Sequence, residues 1–233
     1  MNLRLYYGLF FAIVLWIQFS CAQADLSEQL STAYCNDDFN RADATSLGSI
    51  WNFSPTGDKN PNRSATVASQ QASVTEPGGG FTYIACKQKV DQKNFTISAK
   101  LTPKNPFSTP KVMSLVARAQ STGNLSDTYI CGLEYLTIPA ASRLSLYKGV
   151  SSNRTDLVIS AADQNIINGT TYHIAFSVSG NQLKCSLSSP VVDEVTAVDT
   201  SFSSGYVGVF VWSLSPTDAI NYTFDDFKTE VKP

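Results

Sequence analysis

Two short stretches at opposite ends of the chain decide the fold. Cys35-Asn36-Asp37-Asp38-Phe39-Asn40-Arg41-Ala42 stands near the start, and Tyr222-Thr223-Phe224-Asp225-Asp226-Phe227-Lys228 near the end. Each sets an acidic pair beside aromatic residues. The echo predicts two terminal strands that meet in space and close one domain. Phe39 is expected to enter the core on a strict alternation, with Asp37 on its own face and Asp38 opposite. Phe224 and Phe227 lie three residues apart, so they cannot both face inward from a regular strand. A bulge at the second acidic pair is therefore predicted.

Ahead of the first stretch lies a segment of another kind. Met1-Asn2-Leu3-Arg4 is a short basic start, Leu5 to Phe19 is nearly unbroken apolar sequence, and Ala22-Gln23-Ala24 follows. That order predicts a secretory signal over residues 1–24, cleaved after Ala24. A membrane anchor is the alternative, because the apolar run approaches spanning length. A lipid anchor on Cys21 would need a leucine that Gln18-Phe19-Ser20 lacks. Residues 25–34 form a short polar lead-in, and residues 35–233 a single domain. The mature chain of roughly 200 residues is a comfortable size for one core.

The formal net charge of −2 becomes one unit more negative when Arg4 is removed. Mild acidity with no run of Lys or Arg argues against a nucleic-acid partner. No second apolar run of spanning length follows the signal. Cys35, Cys86, Cys131 and Cys185 remain, an even number that an oxidising compartment would pair. Two disulfides are expected, with three connectivities open. No Cys-x-x-Cys spacing occurs and His173 is the one histidine, which excludes an ordinary zinc site. Seven N-glycosylation acceptors begin at Asn52, Asn62, Asn94, Asn124, Asn153, Asn168 and Asn221. Together these features predict a secreted, extracellular glycoprotein.

From Cys35 onward, short alternating runs are separated by Gly, Pro, Asn, Asp and Ser, the pattern of an antiparallel all-β sandwich. Phe95, Ile97, Ala99 and Leu101 alternate with polar residues, as do Tyr172, Ile174, Phe176 and Val178. Strands are also expected at Phe81 to Cys86, Val112 to Arg118, Tyr129 to Leu136, Arg143 to Lys148, Leu183 to Leu187, Tyr206 to Trp212 and Asn221 to Val231. Ser54 to Ser64 reads as a polar loop.

The order of these pieces resembles the concanavalin A-like lectin/glucanase superfamily, in its laminin G-like branch. The opening Asp37 to Asp43 with Gly48 and Trp51 is similar to that group's start. Tyr129 to Leu133, Leu144 to Tyr147 and Tyr172 to Phe176 resemble its central meander. Gly205 to Val209 followed by Phe224 to Phe227 resembles its close. The resemblance implies a two-sheet jelly roll with adjacent N- and C-terminal strands. It also implies a structural calcium near those strands, with Asp38 and Asp226 as first choices and Asp37 and Asp225 as substitutes.

Function has to come from a site, because such folds host many activities. The superfamily's hydrolases carry a Glu-x-Asp-x-x-Glu strand, and this chain has none: Glu134 is followed by Leu136 and Pro139 where partners should stand. Asp193-Glu194 with Asp199 has the wrong spacing and reads as solvated loop charge. His173, with no Gly-x-Ser-x-Gly elbow, does not make a serine hydrolase. Sugar binding needs an aromatic face instead. Tyr206, Phe210 and Trp212 share one side of a strand whose other side is Val207, Val209 and Val211, so one set builds the core and the other can hold a ligand. Trp51 is expected in the core. The sequence thus points to a non-catalytic binding or matrix module that recognises carbohydrate or an extracellular matrix glycoprotein. The rival readings are a glycosidase-like enzyme and a purely structural matrix protein.

Overall fold

In the computed structural model of the chain, the described residues are 34–56, 63–76, 80–105, 109–137, 140–151, 153–214 and 219–232. The expected signal over residues 1–24, most of the expected lead-in and Asn62 lie outside them. They contain fourteen strands in chain order: β1 (Trp51–Thr56), β2 (Ser64–Ala68), β3 (Gln71–Glu76), β4 (Gly80–Cys86), β5 (Asn94–Pro103), β6 (Lys111–Ala119) and β7 (Thr128–Thr137). The second half is β8 (Ala140–Val150), β9 (Asn153–Ile159), β10 (Tyr172–Ser179), β11 (Gln182–Ser189), β12 (Asp193–Val198), β13 (Tyr206–Ser213) and β14 (Ile220–Val231). Among the described residues there is no helix long and apolar enough to cross a membrane.

Two seven-stranded antiparallel sheets result. The first runs β1-β4-β13-β6-β7-β8-β9, and the second β12-β11-β10-β5-β14-β3-β2. Period two explains the layering. Phe95, Ile97, Ala99 and Leu101 of β5, with Ile174, Phe176 and Val178 of β10, are buried inward from the second sheet. Its other face carries Thr96, Ser98, Lys100, His173 and Ser177. Facing it from the first sheet are Ile84, Met113, Leu115, Cys131, Leu133, Leu144, Val207, Val209 and Val211, all buried. A disulfide between Cys131 of β7 and Cys185 of β11 ties one sheet to the other. A polar tie lies beside it. Asp199, just after β12, accepts hydrogen bonds from the Tyr129 hydroxyl at 2.6 Å and from Lys148 Nζ at 2.5 Å.

The two terminal stretches meet, as their echo predicts. Asp37 and Phe227 exchange backbone hydrogen bonds of 2.9 Å in both directions. Thr229 adds bonds to Asn36 Oδ1 at 2.7 Å and to the Cys35 carbonyl at 3.0 Å. The predicted bulge is present. The register of β14 against β5 shifts between Asp225 and Lys228, and Asp226 takes φ 49°, which lets Phe224 and Phe227 both reach the core. The expectation of a regular alternating strand at Phe39 is corrected. Phe39 is fully buried, but its φ of 51° turns it inward from a loop rather than from a strand. Phe39, Trp51, Phe224 and Phe227 form an aromatic cluster with centroid separations of 5.0 to 5.9 Å.

Two further segments differ from their sequence expectation. Ser54 to Ser64 is not one loop, because β1 continues to Thr56 and β2 begins at Ser64. Asp193-Glu194 does not lie in a solvated loop either. It opens the edge strand β12, where Asp193 accepts bonds from Ser160 and Gln164, and Glu194 pairs with Lys184 at 2.6 Å.

Candidate ligand-binding face

The first sheet is apolar on both sides, which a solvated outer layer does not require. Its inner side supplies the core. On the side turned away from the second sheet, register aligns Tyr83, Phe210, Ser114, Gly132 and Ser145 in one row across β4, β13, β6, β7 and β8. The next row holds Ala85, Gly208, Val116, Ile130 and Tyr147. Tyr83, Val112, Val116, Ile130, Tyr147 and Phe210 form one buried cluster here, with Phe81, Leu125, Tyr206 and Trp212 half-buried against it. The middle of the face is kept shallow by small residues. A Cβ at Gly132 would lie 2.4 Å from Ser114 Cβ, so no side chain fits there.

A cavity of about 170 Å³ opens on this face, walled by Phe81, Leu125, Ile130, Tyr147 and Phe210 and rimmed by Asn124, Ser126, Asn153 and Arg154. Apolar walls with a few convergent polar groups are the usual make-up of a small-molecule site. Phe81 and Phe210 meet edge to face at 5.8 Å. Arg154 lies 4.1 Å over the Tyr147 ring, a cation–π contact. Its guanidinium is also held by both oxygens of Glu134, at 2.6 and 2.7 Å, and by Asp156 at 2.6 Å. Burial works against the Arg154 charge, but these carboxylates outweigh it and raise its pKa above the ordinary value. Burial likewise pushes the Tyr147 hydroxyl up, so it stays a neutral donor.

The sequence placed Tyr206, Phe210 and Trp212 on a common face, and they share this one, opposite the buried valines. Of the three, Phe210 lines the cavity; Tyr206 and Trp212 pack against the cluster at its flanks. Phe81, Tyr147, Asn124, Asn153 and Arg154 were not singled out as ligand-binding residues. Their signal is cross-strand register, which one sequence does not display.

The terminal aspartates do other work. Asp37 Oδ1 accepts from the Phe39 amide at 2.9 Å and from Arg41 at 2.6 Å, while Oδ2 accepts from Trp51 Nε1 at 2.8 Å and Arg41 at 3.1 Å. Asp38 is exposed and caps the Asn40 amide. Asp225 caps the Asp226 amide, and Asp226 is paired with Lys100 at 2.5 Å. The described residues contain no group of three potential metal-ligating side chains. Of the two carboxylates expected to hold calcium, Asp38 is exposed and Asp226 is engaged by Lys100. His173 lies on the outer side of the second sheet, beside Lys100, Asp226 and Lys228.

The second expected disulfide is not formed. Cys35 and Cys86 are buried free thiols, close enough for each to perturb the other. Of the glycosylation acceptors, Asn124, Asn153 and Asn168 are exposed, and Asn52, Asn94 and Asn221 are half-buried.

No protein-family model matches the chain, and no curated protein sequence matches it. Solved structures do. The carbohydrate binding module CBM66 from Bacillus subtilis superposes with a TM-score of 0.59 at 16% identity, covering 79% of this chain and 98% of that one. The carbohydrate recognition domain of Emp47p superposes with a TM-score of 0.61 at 12% identity, over 87% and 97%. The GH43 protein BlXynB from Bacillus licheniformis matches with a TM-score of 0.61 at 15% identity, over 84% of this chain but 39% of that one. The fold is a two-sheet jelly roll, shared with these structures. At these identities the likeness is one of architecture.

Proposed function

We propose that this chain is a secreted, non-catalytic module that binds carbohydrate on the outer face of its first sheet. The observation that carries this reading is the doubly apolar sheet. β13 buries Val207, Val209 and Val211 in the core and turns Tyr206, Phe210 and Trp212 the other way, onto a face with a small-residue floor and an aromatic-walled cavity. Aromatic rings supply broad contact for the C–H faces of a sugar, and the Arg154 guanidinium on the rim supplies hydrogen-bond donors for its hydroxyls.

Two features favour binding over hydrolysis. The carboxylates of this face, Glu134 and Asp156, are both engaged by Arg154, so neither is free to hand a proton to a leaving group while the other attacks, as a pair of glycosidase carboxylates must. The fold's likeness to a carbohydrate binding module and a carbohydrate recognition domain extends over nearly all of those chains, whereas the glycoside hydrolase match extends over a minor part of its protein. The leader segment, the glycosylation acceptors and the Cys131–Cys185 disulfide support secretion. The natural partner class is then an oligosaccharide, free or carried on an extracellular matrix glycoprotein. Calcium is not required by the groups on this face.

A glycan-array screen of the purified chain, with and without a calcium chelator, tests the proposal. Binding to a restricted set of neutral glycans in both conditions is expected. Absence of binding in both would overturn it.

A further inference from the structure

Two of the glycosylation acceptors stand on the rim of the cavity. Asn124 and Asn153 are about eighty and about fifty residues from the start of the aromatic strand β13 in sequence, yet both line the same opening with Phe81, Tyr147 and Phe210. The structure explains why. The segment 121–127 lies across the end of β8: a Cβ at Gly149 would stand 2.7 Å from the Leu125 carbonyl oxygen. Asp127 Oδ1 accepts the Ser151 amide at 3.2 Å, which fastens that segment to the turn between β8 and β9. Asn153 is the first residue after that turn. Its side chain and that of Asn124 are exposed. Asn124 uses only its Oδ1, which accepts the Ser126 amide at 3.1 Å, so Nδ2 has no protein partner among the described residues. Asn153 Nδ2 makes only a long 3.5 Å bond to the Ser151 carbonyl. Asn52 Nδ2 donates to the Thr122 carbonyl at 2.9 Å and so anchors the other end of the same segment.

We propose that N-linked glycans on Asn124 and Asn153 cover this cavity and control access to it. This rests on the reading that the chain is secreted and that the face binds sugar. In the modification, each Nδ2 bonds to the anomeric carbon of an oligosaccharide carried on a lipid pyrophosphate. The sugar–phosphate bond breaks, the lipid pyrophosphate leaves with its electron pair, and one amide proton is lost. The product is a bulky, hydrated chain rooted at the mouth of an aromatic pocket. A sugar tethered this closely is held at an effective concentration on the order of millimolar. For a site with a Kd of about 0.1 mM for such a sugar, the tethered chain lowers affinity for an outside ligand roughly tenfold. The unmodified and modified forms of one chain would then differ as an open and a self-occupied module.

The test uses the full chain made in a glycosylating secretory host, beside S126A/T155A, which removes both acceptor sequences and keeps both asparagines. A second control, N168Q, removes an acceptor that sits by β5 of the other sheet, where the Gly169 amide bonds the Pro103 carbonyl. Glycopeptide mass spectrometry reads occupancy, and endoglycosidase trimming of the native protein reads how exposed each glycan is. Occupied Asn124 and Asn153, trimmed at least severalfold more slowly than the Asn168 glycan, are the expected result. Both sites empty, or both trimmed as fast as Asn168, would overturn the inference. The same three proteins on an array of neutral glycans give the second readout. An increase of about tenfold for S126A/T155A and none for N168Q is expected, and no increase for S126A/T155A alongside clear binding by the wild type would overturn control of access. If no form binds any glycan while trimming at Asn124 and Asn153 is slow, the covering stands and the sugar-binding reading falls.

Discussion

Replacing Asp37 by asparagine isolates what the opening stretch contributes. The Asp37 side chain is 6% exposed and receives four hydrogen bonds. Asparagine in the same rotamer keeps Oδ1 for the Phe39 amide but sets an NH₂ group where Oδ2 was. The Trp51 indole N–H, on a residue 4% exposed, then faces a donor instead of an acceptor. A buried donor left without its partner costs about 1–3 kcal/mol. The ion pair adds little, about 0–1 kcal/mol, because the Arg41 side chain is 38% exposed. The expected loss is about 2–3 kcal/mol. For a domain of this size that lowers the thermal midpoint by roughly 4–12 °C. Circular dichroism melting measures it, with D38N as the control, expected within about 0.5 kcal/mol of the wild type because Asp38 is exposed. The sharper assay is a double-mutant cycle with Trp51→Phe, which removes the indole donor. In that background D37N should cost about 1 kcal/mol or less. A D37N variant as stable as D38N, or one whose cost is unchanged in the W51F background, would refute the assignment of Asp37 as the latch on Trp51.

Other predictions follow from the ties between the sheets. Burial alone would raise the Asp199 carboxyl, but hydrogen bonds from Lys148, Ser201 and Tyr129 outweigh it and hold the pKa well below the usual range. Since the folded value lies below the unfolded one, this stabilisation is complete above about pH 4 and is lost as pH falls toward the folded value. Urea titrations between about pH 6 and 2 should therefore show a shallower acid limb for D199N than for the wild type, and equal slopes would contradict this network. The Cys131–Cys185 bond closes a separation of 54 residues, for which the chain-entropy relation gives about 4 kcal/mol. C131S/C185S should lose stability of that order in chemical denaturation, and a loss below about 1 kcal/mol would show that the bond does not hold the sheets. Chelation should leave the thermal midpoint unchanged, since Asp226 is engaged by Lys100 and Asp38 by the Asn40 amide. A drop of several degrees on adding a chelator, reversed by calcium, would contradict this.

How much of this was legible follows from where each signal is stored. β5, β10 and β13 carry their layering in period two, and the three-residue spacing of Phe224 and Phe227 reports its own bulge. β9 could not be read that way: Asn153-Arg154-Thr155-Asp156 lies at a sheet edge, where no buried face imposes alternation. The β2–β3 hairpin was missed because its turn uses Ser69 and Gln70 at φ 53° and 60° in place of the Asn-Gly pair that signals such turns. The site was half legible. The aromatic side of β13 is written in the alternation of Tyr206, Phe210 and Trp212 with Val207, Val209 and Val211, whereas the contributions of Phe81, Tyr147 and Arg154 depend on how β4, β8 and β9 register against it. The acidic pairs were legible as marks of closure, and their chemistry as latch and bulge needed the coordinates.

The central claim is that the outer face of the first sheet holds the sugar. Its most direct test is isothermal titration of a glycan identified on the array against two variants of unaltered thermal midpoint. One is Phe81→Ala, on the half-buried cavity wall; the other is Ser177→Ala, on the outer side of the second sheet. Loss of an aromatic contact worth about 1.4 kcal/mol or more weakens binding at least tenfold. The expected result is that loss for F81A and an unchanged Kd for S177A. An unchanged Kd for F81A, or a loss confined to S177A, would contradict the claim.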